Sequence, residues 1–307
     1  MKTNKKQILG WIAVCITIAI SSLWAYWGSI ENFHEGWYST SFFENLFMLV
    51  FQYSLITIIF IVLAQVALQW KLIGLILHIV LAGFSVWFFS GANFFVVGLM
   101  IVIPILLLGA LYYFGAPKPL ILAKGLVAGI PLLVFLAISI PLGIKVSNRL
   151  NDNQDGMRIV EGNGITLIWA PRGPGWPDQG MTWAEAQERC RYLSEDGTTI
   201  MDEEQYIWRL PTVEEAVCSM MLHGENAGGV WDAESQIATY DKTPDKESPL
   251  WDVYSQVIYY WTSQTDSNDE QRAYIIVYHG GVYSKMKVDG QSYLSFRAVK
   301  DVPSNEG

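Results

Sequence analysis

Hydrophobic and polar residues alternate in two unlike ways along this chain. Residues 8–27 carry no charge and end in the aromatic cluster Trp24, Tyr26 and Trp27. Residues 46–70 form a second run, interrupted only by neutral polar side chains such as Gln52 and Gln65. Between Lys71 and Lys118 there is no charge at all, too long a stretch for one crossing of about 20 residues. The polar dip Ser90-Gly91-Ala92-Asn93 divides it into 72–89 and 94–114, and residues 125–144 make a further run. The hydrocarbon core holds no water, so each backbone amide must be bonded within its own segment, which selects helices. The pattern predicts a helical polytopic region over 1–145, with five transmembrane helices at about 8–27, 46–70, 72–89, 94–114 and 125–144 and the lipid bilayer as its surroundings.

Beyond residue 145 the pattern becomes that of a water-soluble domain. A polar linker is expected over 146–156, a folded domain over 157–302 and a frayed tail over 303–307. Thr182-Trp183-Ala184-Glu185 and Thr212-Val213-Glu214-Glu215 both fit the capping box, in which Thr accepts from the third backbone N–H and Glu bonds back. Trp183, Ala186, Cys190 and Leu193 give the first helix an apolar stripe, with Gly197 to end it. Val213, Ala216, Val217, Met220 and Met221 give the second helix its own, with His223 near the negative end and Gly224 just past it. Strands are expected at 165–170, 257–262, 273–279, 282–288 and 293–299. Gly280-Gly281 suits a tight hairpin turn. Helices and strands in separate blocks make this an α+β domain.

Charge sharpens the division. The chain has 307 residues, 51% hydrophobic, and a net charge of -9. Up to Lys145 the balance is 7 basic against 3 acidic residues, a net of +4; the remainder has 13 against 26, a net of -13. Halves so different belong in different solvents. No basic face remains outside the membrane region, which excludes a nucleic-acid partner. Lys2, Lys5, Lys6, Lys71, Lys118 and Lys124 all fall on one side of the predicted spans, whereas loops 28–41 and 90–93 have no Lys or Arg. The positive-inside rule then places the N-terminus in the cytoplasm and the C-terminal domain outside it. The first run is too long for a signal peptide and lacks a small-residue cleavage site, so it is read as a retained anchor.

Candidate chemistry is sparse. His78 is the one histidine well inside a span, where a tetrapyrrole ligand is conceivable, but a neutral histidine bonded to a neighbouring helix is the favoured reading. Pro104, Pro131 and Pro141 are expected to kink their helices. Gly125 and Gly129 have the Gly-xxx-Gly spacing of helix contacts. Asn151, Asn153 and Asp155 before Gly156 imitate the start of a calcium loop, yet Gly162 stands where the closing Glu belongs, so an ordinary turn is favoured over calcium. His223 and His279 are too few for a zinc site. No nucleophile elbow, Walker loop or dinucleotide fingerprint occurs. Arg209, between apolar Trp208 and Leu210, is expected to be paired inside the domain, its loss costing about 3 kcal/mol if a buried partner is stranded.

One series of residues is distinctive. Asn151-Asp152-Asn153-Gln154-Asp155-Gly156, Gly164-Ile165-Thr166-Leu167-Ile168-Trp169 and Thr182-Trp183-Ala184-Glu185-Ala186 come first. Cys190, Leu193, Trp208-Arg209-Leu210-Pro211-Thr212-Val213-Glu214-Glu215, Tyr260-Trp261-Thr262-Ser263 and Phe296-Arg297-Ala298-Val299 follow. This resembles the C-terminal domain family of the collagen-like adhesin Lcl, a bacterial module with a C-type-lectin-like fold shared with formylglycine-generating, sulfatase-modifying enzymes. It covers about 151–300 and says nothing of the spans. It implies a bacterial origin, which with the spans and the lysine bias gives the bacterial cytoplasmic (inner) membrane as the expected location, and structural roles for Thr182, Trp183, Cys190, Trp208, Arg209, Thr212, Glu215, Trp261 and Arg297. In such domains the helix cysteine pairs with one near the last strand, but Ala298 stands there; a Cys190–Cys218 bridge remains open without being favoured. The enzymatic branch uses cysteines late in the domain, and none follows Cys218, so copper–thiolate chemistry is disfavoured.

The resemblance also implies that recognition residues sit on loops at one side of the domain. The irregular stretch 223–256, with Trp231, Tyr240, Trp251 and Tyr254, forms one part of the expected surface. The acidic segment 266–272, with Asp266, Asp269 and Arg272, forms the other. Trp231→Ala or Trp251→Ala should weaken binding without loss of fold. The first reading is thus a membrane-anchored extracytoplasmic binding protein recognising a glycan or protein ligand, without metal or cofactor. An accessory subunit among other membrane protein subunits and a formylglycine-generating-type enzyme or inactive relative are the alternatives.

Overall fold

The computed structural model describes residues 5–89 and 91–303; Lys2, Ser90 and the tail beyond Pro303, all used above, lie outside the described residues. The chain divides into two units: Met1–His34 with Ser41–Ile144, and Glu35–Thr40 with Lys145–Gly307.

The first unit is a bundle of apolar helices. It contains α1 (Lys5–Glu35, whose last residue enters the second unit), α2 (Phe42–Phe47), α3 (Leu55–Gln69), α4 (Lys71–Phe88), α5 (Phe94–Val97), α6 (Ile103–Phe114) and α7 (Leu120–Ser147). π-Helical turns at Met48–Tyr53 and Gly98–Val102 join α2 towards α3 and α5 to α6. Among the described residues four helical segments are long and apolar enough to cross a membrane; Phe42–Tyr53 and Leu55–Gln69, which meet at 63°, add a fifth if they cross as one. Its core is built of small residues, with Ala13, Ala64, Ala67 and Ala123 nearly inaccessible beside Val14, Leu108 and Val127. Lipid offers no hydrophobic drive between helices, so close backbone approach and hydrogen bonds hold them. A Cβ on Gly74 would collide with Ala67, and Thr17 shares a 2.8 Å hydrogen bond with the Tyr112 hydroxyl. Gly125 and Gly129, by contrast, have nothing within 4 Å of a would-be Cβ, so their spacing marks no helix contact within the chain. Pro104 lies where the π-helical turn Gly98–Val102 passes directly into α6. α7 continues through Pro131 and Pro141.

The second unit is a mixed β domain carrying two helices. β1 (Arg158–Gly162), β2 (Ile165–Trp169) and β11 (Val299–Asp301) form an antiparallel sheet in the order β1-β2-β11. β7 (Tyr259–Asp266), β8 (Asp269–Val277), β9 (Val282–Met286) and β10 (Leu294–Ser295) form a sheet in the order β10-β7-β8-β9, with β10 parallel to β7. Two short hairpins complete it: β3 (Met221–Leu222) with β4 (Glu225–Asn226), and β5 (Val230–Asp232) with β6 (Ile237–Thr239). α8 (Trp183–Tyr192) and α9 (Val213–Ser219) both begin with a complete capping box.

Period-two alternation along β7 and β8 sends successive side chains to opposite faces. Tyr260, Tyr274 and Ile276 enter one core with Val213, Ala216 and Val217 of α9. Trp261, Ala273 and Ile275 enter the other with Ala186 and Cys190 of α8.

Several expectations are corrected. α9 stops at Ser219, and His223-Gly224, both with positive φ, turn the β3–β4 hairpin instead of capping a helix. α8 ends at Tyr192, five residues before Gly197. The expected strand at 293–299 is two strands belonging to different sheets. The expected linker is stitched down: Leu150 N–H donates to Glu247, Asp152 N–H to Ser248 Oγ, and Arg172 N–H to the Asp155 carbonyl.

Candidate functional site

The surface proposed from the aromatic and acidic residues is only partly assembled. Trp251 is withdrawn from it: 2% exposed, its ring lies flat on Tyr260 with centroids 3.8 Å apart. A ring covered on that face and buried in the core cannot stack on a sugar. Tyr240 is half-buried, its hydroxyl donating to the Gly280 carbonyl at 2.8 Å; Gly280 has φ +86°, and a Cβ there would strike the Tyr240 ring. Tyr254 is half-buried too, its N–H donating to Asp252 in a local turn.

Trp231, Asp266 and Arg272 do come together. The half-buried Trp231 of β5 meets Tyr274 of β8 edge to face at 6.3 Å. The tip of the β5–β6 hairpin reaches the β7–β8 turn, where Gln236 Nε2 donates to Ser267 Oγ at 3.1 Å. Asp266 accepts from the Ser284 hydroxyl and, at 2.9 Å, from the Asn268 N–H. Those bonds hold its carboxyl below the ordinary range, Ser284 contributing most. Arg272 Nε donates to Ser284 Oγ at 2.9 Å. Asp269 is exposed and accepts from the Gln271 N–H. The acidic segment is held as a tight turn: Asp266 pairs with Asp269 across two residues, and the Asp266 side chain caps the turn. Around these tips Val230 and Ile237 stand more than half exposed.

The residues assigned structural roles lie in the domain's framework. Trp261 and Trp208 are buried and donate to the carbonyls of Met181 and Ser194, each at 2.8 Å. Trp183 donates to the Thr262 carbonyl, with the Lys287 ammonium 4.3 Å over its ring. Arg297 is fully buried, stacked at 3.7 Å over Trp176, and donates to the carbonyls of Ala170 and Pro249. Cys190 and Cys218 are both buried and unbridged, and burial pushes both thiols up. Neither supplies a ready thiolate.

Arg209 makes a two-pronged pair with Glu215 at 2.6 and 2.7 Å and reaches Asp301 at 2.8 Å. Its side chain is nevertheless 41% exposed. Water can re-solvate Glu215 when the arginine is lost, which lowers the expected cost of Arg209→Ala to about 1–2 kcal/mol from the 3 that a stranded buried charge would cost. Denaturant unfolding of the full chain in detergent checks this; a loss of 3 kcal/mol or more would mean that the carboxylate is sealed off.

The calcium-like segment has its carboxylates turned to arginines, Asp152 to Arg158 and Asp155 to Arg172. Among the described residues no three His, Cys, Asp or Glu side chains gather as a metal site. His78 is buried, its Nδ1 2.7 Å from the Gly74 carbonyl, and α6 lies so close that a Cβ on Gly109 would strike it.

One group has no counterpart in the sequence reading. Asp245, Lys246 and Glu247 are consecutive, ionisable and at most 5% exposed. Asp245 pairs with Arg149 at 2.9 Å and with the more exposed Lys145 at 3.4 Å. Glu247 accepts the N–H groups of Leu150 and His223. Lys246 donates to the carbonyls of Glu35, at 2.8 Å, and Ser255. A charged triplet in an irregular stretch reads as solvated from sequence; only the chain's return from residues 35 and 149 reveals why it is buried.

No protein-family model, curated protein or solved structure matches this chain.

Proposed function

We propose that this is a membrane-anchored binding protein whose C-terminal domain, of C-type-lectin-like fold, recognises a glycan or protein ligand outside the cytoplasm. The observation that carries the reading is the joint surface of the β5–β6 hairpin and the β7–β8 turn. It sets the apolar Val230 and Ile237 beside the polar network of Asp266, Arg272 and Ser284. Exposed turns on a rigid two-core framework are where recognition is ordinarily built. The buried thiols favour binding over formylglycine-type chemistry.

The anchoring follows from the helices and from a parity argument. Glu35–Thr40 and Lys145–Gly307 belong to one folded unit, so an even number of crossings separates them. Four crossings, with the bent pair Phe42–Tyr53 and Leu55–Gln69 counted as one, meet that requirement. A re-entrant bent pair would leave three. The lysine bias then favours a cytoplasmic N-terminus and an exterior domain.

Asn268 is exposed at the β7–β8 turn and provides the test. In intact cells Asn268→Cys should react with a membrane-impermeant maleimide; labelling only after lysis would reverse the orientation. Full-length protein in nanodiscs should bind a defined subset on a glycan array or a cross-linked surface protein. Val230→Lys with Ile237→Lys should reduce that binding at least about tenfold, since each places a charge in the apolar part of the contact, with unchanged melting. Binding that survives the double variant would move the site elsewhere.

A further inference from the structure

We propose that Lys246 is a proton-controlled latch on the segment Glu35–Thr40: uncharged, it holds the segment closed on the domain, and on taking a proton from water it releases it. The segment is short and tightly held. The Glu35 carbonyl accepts from both Lys246 Nζ at 2.8 Å and Arg149 Nη1 at 3.2 Å. Trp37 Nε1 donates to Ser147 Oγ at 3.0 Å. Gly36, at φ +101°, lies so near the Arg149 guanidinium that a Cβ would collide with it. Lys246 is thus one of two cationic side chains converging on one carbonyl, and the only one without a carboxylate within ion-pair distance among the described residues.

That asymmetry makes Lys246 the responsive group. A neutral amine donates to two carbonyls at little cost, whereas an ammonium buried without a counter-ion is expensive. Burial chiefly, then the neighbouring Arg149 charge, pull the amine down to about 7; Glu35, Asp252 and Asp245 oppose this in part. The other charged or titratable neighbours are Lys145 from α7, Glu247 beside Lys246, His223 from the β3–β4 turn at 3.4 Å from Glu247, and Tyr278, whose ring lies 5.4 Å from the Arg149 guanidinium. An opened segment hydrates the amine and returns it towards its ordinary value of 10.5. The open form therefore binds more protons than the closed one between those two values. Opening is rarest at high pH, grows as pH falls, and levels off once the closed form is itself protonated.

Amide hydrogen exchange of residues 35–40 in the full chain in nanodiscs, corrected for the pH dependence of the chemical step, tests this. Opening should be about tenfold or more commoner near pH 6 than near pH 9, levelling off below about pH 7. Lys246→Met should give a flat, closed profile and Lys246→Arg a flat, open one, while His223→Gln keeps the wild-type curve. A wild-type profile independent of pH overturns the latch. So does either Lys246 variant with the wild-type pH dependence, or loss of that dependence in His223→Gln.

Discussion

Trp251→Ala should cost the domain about 4 kcal/mol, the range for emptying a large aromatic from a packed core. The side chain is 2% exposed and stacks on Tyr260 with the rings 4° from parallel. Tyr260 is in turn tied to Trp176, whose Nε1 donates to its hydroxyl at 2.6 Å. Removing the indole leaves a void between Tyr260 and the rest of that core, and the tight register of β7 against β8 leaves little freedom to collapse into it. Denaturant unfolding in detergent, followed by near-ultraviolet circular dichroism, should show the midpoint shift. A variant as stable as the wild type would mean that the ring is dispensable to the core and would restore Trp251 to the surface.

Arg149→Met should be nearly as severe, at about 3 kcal/mol, because it strands Asp245 in the interior. Both side chains are almost inaccessible, and their 2.9 Å contact is the close one; Lys145 sits further off and mostly in water. Adding Asp245→Asn removes the stranded charge, so the double variant should be less damaged than the two single costs predict together. Additive costs in the double-mutant cycle would show that the two residues act independently.

These two expectations mark where sequence reading reached and where it stopped. The apolar runs and both capping boxes were legible because their causes are local: absence of water selects helices, and Thr and Glu three residues apart satisfy each other's backbone groups. The second helix was read too long because Met220 and Met221 keep its periodicity, while His223-Gly224 offers a turn that lets Met221 pair with Asn226 instead. Trp251 was assigned to the surface because its flanks are irregular; its partner, Tyr260, arrives from another part of the chain. Asp266 reads as part of an acidic surface segment because a run of polar residues follows it, yet its carboxylate capping Asn268 tightens the start of that run into a turn. The membership of Glu35–Thr40 in the C-terminal unit is the least legible feature, since a long, mostly apolar stretch of about a hundred residues intervenes and no local pattern announces it.

The two-sided burial of β7 and β8 has an evolutionary corollary. Tyr260 and Trp261, neighbours in sequence, serve opposite cores, and so do Ile275 and Ile276. Where the strands carry these residues neither face is free, because each inward side chain packs with a helix, α9 on one side and α8 on the other. Substitution that disturbs neither core is thereby channelled to the hairpin tips at 233–236 and 267–268, which lie outside both.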